Sequence, residues 1–255
     1  MTDHIKEIQT SKYLIAYLDI LGIRERLSSK DENIRKFHLS VLNHFVDQAK
    51  KGCGSAEYLL DDIDIVCYSD NLLFAYDTTK ANNQYDYIHK CHCLIVYVLC
   101  MQELAFVNGF MVRGSVLFGD LYIDKEKNFV CGKGLIDVYL QESQLAIYPR
   151  IITKDEELLS IIEDISLGGG SKLKNILRKD FDNIYYIDYL QMLATTKDLP
   201  VQLKDMQERY QKDFVKERTN PKIIQKHDWH INYFNNFCDR VNLPEYKIEV
   251  ANASN

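Results

Sequence analysis

The chain has 255 residues, 46% of them apolar and 27% charged, which suits one large domain or a domain with an appendage. A net charge of −6 and the lack of a long Lys/Arg block argue against a nucleic-acid surface, though not against a small phosphate-bearing ligand. No apolar run is expected to approach the roughly 20 residues of a bilayer span. The opening "MTDHIKEIQTSK" has no apolar signal region, so a cytoplasmic protein that engages no membrane is expected.

The predicted elements begin with a strand over Lys12–Ile20, nearly all β-formers, as in a strand covered on both faces. A turn follows at Gly22. Ile34, Phe37, Val41 and Phe45 recur at helical spacing within Asp31–Lys51. "GCGS" at 52–55 is a loop. Tyr58–Tyr68 and Asn71–Tyr76 read as two strands meeting at Ser69-Asp70. Tyr85–Phe106 is a long apolar helix that stops near Asn108-Gly109. A strand over Phe110–Phe118, a hairpin in "GDLYIDKEKNFVCG" and a short helix over Lys133–Ser143 complete this part. Strand, helix, two strands, helix, strand is a ferredoxin-like or palm-type βαββαβ order, so the predicted fold class is α+β.

Further on, "YPRIIT" reads as a strand, Asp155–Ile165 as a helix and "NIYYIDYL" as a strand. "LGGGSK" at 167–172 does not fit the G-x-x-x-x-G-K-[ST] phosphate loop and is expected to be a plain loop. From about Leu199 the chain looks helical, interrupted at Asn220-Pro221. The predicted division is a catalytic domain over 1–195 and a helical C-terminal extension over 196–255, packed on the core. Seven cysteines, an odd number, argue against a disulfide framework. Cys91 and Cys93 around His92 match no common zinc spacing, and His227 with His230 lack a third ligand nearby.

Two acids stand at strand ends. Asp19 closes the first strand and Asp70 sits between the second and third. In a palm core the strands that carry them are neighbours, and a pair of carboxylates at a sheet edge suits hard cations such as Mg²⁺ or Mn²⁺. Gly22 lets backbone N–H groups approach phosphate oxygens. Taken singly, Asp19 reads equally as a helix cap and Asp70 as a turn residue.

Four stretches, in order, resemble the class III nucleotide cyclases. "YLDILGI" is similar to their metal-binding strand end and "CYSDNLLFAY" to their second acid in its hairpin. "MVRGSVLFGDL" resembles their Arg-bearing strand and "CGKGLIDVYLQES" their glycine-led helix. The wording DILG, SDN, RG, YPR and IDYL looks most like the pyrimidine cyclases of the Pycsar antiphage defence system.

The resemblance implies that Asp19 and Asp70, with the Ile20 carbonyl, hold two Mn²⁺ or Mg²⁺ ions. It gives Gly22 and Ile23 to the triphosphate and Arg113 to its β- and γ-phosphates, a structural ion pair being the alternative for Arg113. Tyr17 and Lys133 join the substrate side. Asp64 and Phe129 occupy the positions that read the base; the usual purine pair is missing, and a bulky Phe129 favours a smaller base. The implied reaction is conversion of a pyrimidine nucleoside triphosphate, UTP before CTP, to the 3′,5′-cyclic monophosphate and pyrophosphate. The implied partners are a second copy in a head-to-tail homodimer, with sites at the interface, and a separate cyclic-nucleotide-responsive effector. Where purine cyclases carry a transition-state Asn and Arg, this chain has Ile136 and Leu140. Lys133, Tyr139 and Arg150 are the candidate replacements, and a catalytically silent nucleotide-binding module is the alternative function.

Overall fold

The structure, a computed structural model, describes residues 8–51, 62–163, 175–214 and 221–249. Strand β1, Ser11–Leu21, accounts for the long apolar run at the start. Leu14, Ala16, Leu18 and Ile20 enter the main core, whereas Tyr13, Ile15 and Tyr17 enter a second cluster on the opposite face. Side chains alternate across a strand, so burial on both faces requires apolar residues at every position.

Helices α1 (Ile23–Leu27) and α2 (Glu32–Lys51) lead to the hairpin β2 (Ile63–Tyr68) and β3 (Asn71–Asp77). Helix α3, Gln84–Val107, then returns the chain to β4, Met111–Asp124. The strand order is β2-β3-β1-β4, and each neighbouring pair is antiparallel. That is the ferredoxin-like arrangement expected for a βαββαβ series. Beyond β4 the sheet continues through β6 (Ile151–Thr153), parallel to β4, and then β8 (Tyr185–Ile187) and β7 (Leu177–Lys179). The remaining strand, β5 (Phe129–Cys131), pairs with the far end of β4.

Helix α4, Lys133–Leu145, covers the second face, with Val138 and Leu135 against Ile15, Tyr17 and Leu117. Its backbone comes close to β4 because Gly134 and Gly119 face each other. A Cβ on Gly134 would lie 2.5 Å from Ile15 Cδ1 and 2.9 Å from the Gly119 carbonyl carbon. Helices α5 (Glu156–Glu163), α6 (Leu199–Arg209) and α7 (Pro221–Arg240) follow. Leu203, Met206, Phe234 and Phe237 of α6 and α7 share one buried cluster with Leu14 and Phe106.

Several expectations change. The strand predicted to end at Phe118 runs on to Asp124, because the first arm of the predicted hairpin continues it. Tyr148–Arg150 stay out of β6, and the helix predicted over 155–165 runs from Glu156 to Glu163, its last two residues lying outside the described residues. The strand over 183–190 is cut to three residues. After it, buried Asp188 caps a 3₁₀ helix, Tyr189–Thr195, by accepting from Gln191 N–H at 3.3 Å. Helix α3 is, by length and composition, apolar enough to cross a membrane, contrary to the expectation for the chain; its inner face is buried against the sheet. His92 bonds the Ile161 carbonyl at 2.8 Å within that packing. The predicted loops at 52–55 and 167–172 lie outside the described residues, as do the first residues of the strand predicted from Tyr58.

Candidate functional site

Strand β1 lies between β3 and β4, so its last residues have neighbours on both sides. Asp19 stands opposite Asn71 on β3 and Arg113 on β4. Asp70 belongs to the two-residue turn joining β2 and β3, a turn tight enough to put Ser69 at φ 56°. Ile20 N–H donates to the Asp70 carbonyl at 3.0 Å, which ties that turn to the end of β1. Two residues later Gly22 takes φ 81°, a left-handed conformation that side chains disfavour, and the chain leaves the sheet for α1. Asp19, Ile20, Gly22, Ile23, Asp70 and Arg113 therefore line one cleft of 430 Å³.

Arg113 is held between two acids. Its Nε–H donates to Asp19 Oδ2 at 2.8 Å, and the same nitrogen lies 2.7 Å from Glu142 Oε1. Glu142 is 2% exposed, against 17% for Asp19 and 22% for Arg113. The Arg113 N–H points at Asp19, and Glu142 Oε1 accepts no hydrogen bond among the described residues. Burial pushes the Glu142 carboxyl up to about 7, against the pull of Arg113 and with the push of Asp19.

A second chain of contacts runs along the opposite wall. Tyr17 donates from its hydroxyl to Asn71 Oδ1 at 2.7 Å, and Asn71 Nδ2 donates to Asp70 Oδ1 at 3.2 Å. Burial and a hydrogen bond with Tyr68 hold the Tyr17 phenol well above its ordinary value, so it stays protonated. Tyr139 packs edge-on against Tyr17, ring centres 5.9 Å apart.

Not every sequence candidate reaches this cleft. Asp64 and Phe129 line a separate groove of 910 Å³ that shares no lining residue with it. There Asp64 is buried and paired with Lys125, and Phe129 is half exposed beside Tyr122. Lys133 lines neither and pairs with Asp137 on its own helix. Of the proposed replacements for the helix Asn and Arg, Tyr139 is in the cleft. Arg150 is not: it is 1% exposed and locked to Asp180 and Asp182, a structural ion pair.

Sequence reasoning missed Glu142, Asn71 and Lys226, all of which line the cleft. Glu142 carried a usable signal, because Gly134, Val138 and Glu142 fall at i, i+4 and i+8 on the buried face of α4. Lys226 carried none: α7 is more than 200 residues from Asp19 along the chain.

Among the described residues no group of three His, Cys, Asp or Glu side chains forms a metal cluster. The donors at the strand ends are the Asp19 and Asp70 carboxylates and the Ile20 carbonyl, with Glu25 and Glu142 also lining the cleft, all of them hard oxygens. Such a set fits Mg²⁺ or Mn²⁺ that completes its coordination with water and phosphate oxygens.

No family model matches the sequence, and no curated protein matches it. Among solved structures the chain is similar to that of a bacterial light-regulated adenylyl cyclase. The TM-score is 0.45 and the identity 9%, over 79% of this chain and 100% of that one. It is also similar to the guanylyl cyclase Cya2, with a TM-score of 0.40 and 14% identity over 70% of this chain and 92% of that one.

Proposed function

We propose that this protein is a nucleotide cyclase that converts a pyrimidine nucleoside triphosphate, UTP or CTP, to its 3′,5′-cyclic monophosphate and pyrophosphate. The observation that carries the reading is the meeting of Asp19, Asp70, Gly22 and Arg113 in one cleft from three separate strand ends. In this reading Asp19, Asp70 and the Ile20 carbonyl hold two divalent cations, which when bound activate the ribose 3′-oxygen and neutralise the α-phosphate and its leaving group. The Gly22–Ile23 backbone approaches the triphosphate. Arg113 reaches the phosphates from the position where it now pairs with Asp19, its planar fork suiting two oxygens.

The base is read across an interface. Asp64 and Phe129 sit in the larger groove, apart from Asp19 within one chain. A symmetric head-to-tail homodimer would bring the groove of one copy to the cleft of the other. Ile136, Tyr139 and Leu140 of α4, and Phe129 beside them in sequence, are exposed apolar residues that such a dimer would cover. Phe129 would narrow the pocket to a pyrimidine. The product fits a messenger role in antiphage defence, read by a separate effector, as the Pycsar-like wording suggests.

One observation favours the silent-module reading: Ile136 and Leu140 offer no donor for charge that develops at the α-phosphate, at the two α4 positions where purine cyclases carry Asn and Arg. The deciding experiment is incubation with each of the four nucleoside triphosphates and Mn²⁺, followed by chromatography. Cyclic UMP or cyclic CMP from the wild type and none from Asp70→Asn is the expected result. Binding of UTP or CTP without any cyclic product would select the silent module, and cyclic AMP or GMP as main product would overturn the pyrimidine assignment.

A further inference from the structure

Helix α4 brings no cation into the Asp19 cleft, since Lys133 pairs with Asp137 outside it, and the structure offers one from elsewhere. Four acids and three bases line the Asp19 cleft: Asp19, Glu25, Asp70 and Glu142 against Arg24, Arg113 and Lys226. Arg113 is engaged by Asp19, and Arg24 is exposed. Lys226 is different. It is half-buried, and it makes no hydrogen bond or ion pair among the described residues. Exposed lysines elsewhere find carboxylates, as Lys12 does with Glu157 and Lys247 with Asp239. Burial first and then Arg113 lower the Lys226 amine's proton affinity, against the attraction of Asp19, Glu25 and Glu142. Its ammonium lines the cleft with no hydrogen bond or ion pair among the described residues to break before an added anion joins it.

The backbone that carries Lys226 is firmly placed. On α7, Trp229 Nε1 donates to Asp180 at 2.8 Å, and the Tyr233 hydroxyl donates to buried Asp188 at 2.6 Å. Arg240 also bonds Asp188, at 2.6 Å, and His230 lies 3.0 Å from the Tyr189 hydroxyl. His227, the next residue, is 4% exposed, so Lys226 sits where the helix passes from core to cleft.

Resting on the triphosphate reading above, we infer that Lys226 of the C-terminal helix α7 is a phosphate ligand of the Asp19 cleft. It holds the terminal phosphates of the nucleoside triphosphate, and the pyrophosphate as it leaves, supplying from the extension a cation that α4 does not bring into the cleft. The C-terminal extension is then part of the active site.

The test compares wild type, Lys226→Gln, Lys226→Arg and, as a control on an exposed lysine of α6, Lys204→Gln. Binding of inorganic tripolyphosphate with Mn²⁺ is measured by calorimetry, and nucleotide turnover and thermal unfolding alongside. Loss of one charge-assisted contact should weaken tripolyphosphate binding about 10- to 100-fold in Lys226→Gln. Lys226→Arg should recover most of the affinity, and Lys204→Gln should match wild type. The unfolding temperature should not fall in Lys226→Gln, because the half-buried ammonium has no hydrogen bond or ion pair among the described residues to lose. Equal tripolyphosphate affinity in wild type and Lys226→Gln would overturn the inference and leave the cyclase reading standing. If the wild type neither binds tripolyphosphate nor turns over any nucleotide, the cyclase reading fails first and the inference falls with it.

Discussion

Glu142→Gln should stabilise the protein above neutral pH. Glu142 is 2% exposed, and its carboxyl is raised from 4.5 to about 7, by burial first. A carboxyl whose folded value lies above its unfolded value favours the folded state while it stays protonated. As pH rises from about 4.5 the unfolded chain ionises there and the folded one does not, so stability falls until the folded group also ionises near 7. At about 1.36 kcal/mol per pH unit the full effect is roughly 3 kcal/mol, with the opposing pull of Arg113 already included. Glutamine keeps the shape and has nothing to ionise. The assay is urea unfolding of metal-free wild type and variant at half-unit steps from pH 4.5 to 8.5, taking the difference at each pH. That difference should grow in the variant's favour across pH 4.5 to 7 and then level off. A flat difference, or one that moves toward the wild type as pH rises, would refute the reasoning: the ionised Glu142–Arg113 pair would then be the stabilising form.

Other outcomes follow from the same geometry. Gly134→Ala would press a methyl group against Ile15 and the Gly119 backbone, so it should cost about 1–3 kcal/mol, read as a lowered melting temperature. An unchanged melting temperature would mean that α4 does not approach β4 this closely. Phe129→Ala should relax discrimination against purine triphosphates, measured as the ratio of kcat/KM for UTP and ATP; an unchanged ratio would take Phe129 out of the pocket. Co-refolding Asp70→Asn with Asp64→Asn should restore roughly a quarter of wild-type activity, because about half the dimers are mixed and each mixed dimer has one intact site. Background activity, with exchange confirmed by differently tagged chains, would count against a shared site.

The sequence by itself determined the core order and the two acids. An apolar run without alternation, as in Lys12–Ile20, has to be covered on both faces. An acid at the end of such a run, with Gly22 three residues on, marks where the strand leaves the core. The turn chemistry of Ser69-Asp70 is likewise local, and the hairpin forms where that predicts. Short strands such as Leu177–Lys179 left no pattern, because three residues carry too little periodicity to tell a strand from a loop. Only the tertiary structure decided which charges meet. Arg113 pairs with Asp19 because β1 and β4 are in that register, and Glu142 joins them because two glycines let α4 lie close to β4. Arg150, legible only as a nearby cation, is consumed by Asp180 and Asp182, whereas Lys226 reaches the cleft from the far end of the chain. Contacts of that kind depend on how elements pack in three dimensions, and no local spacing encodes them.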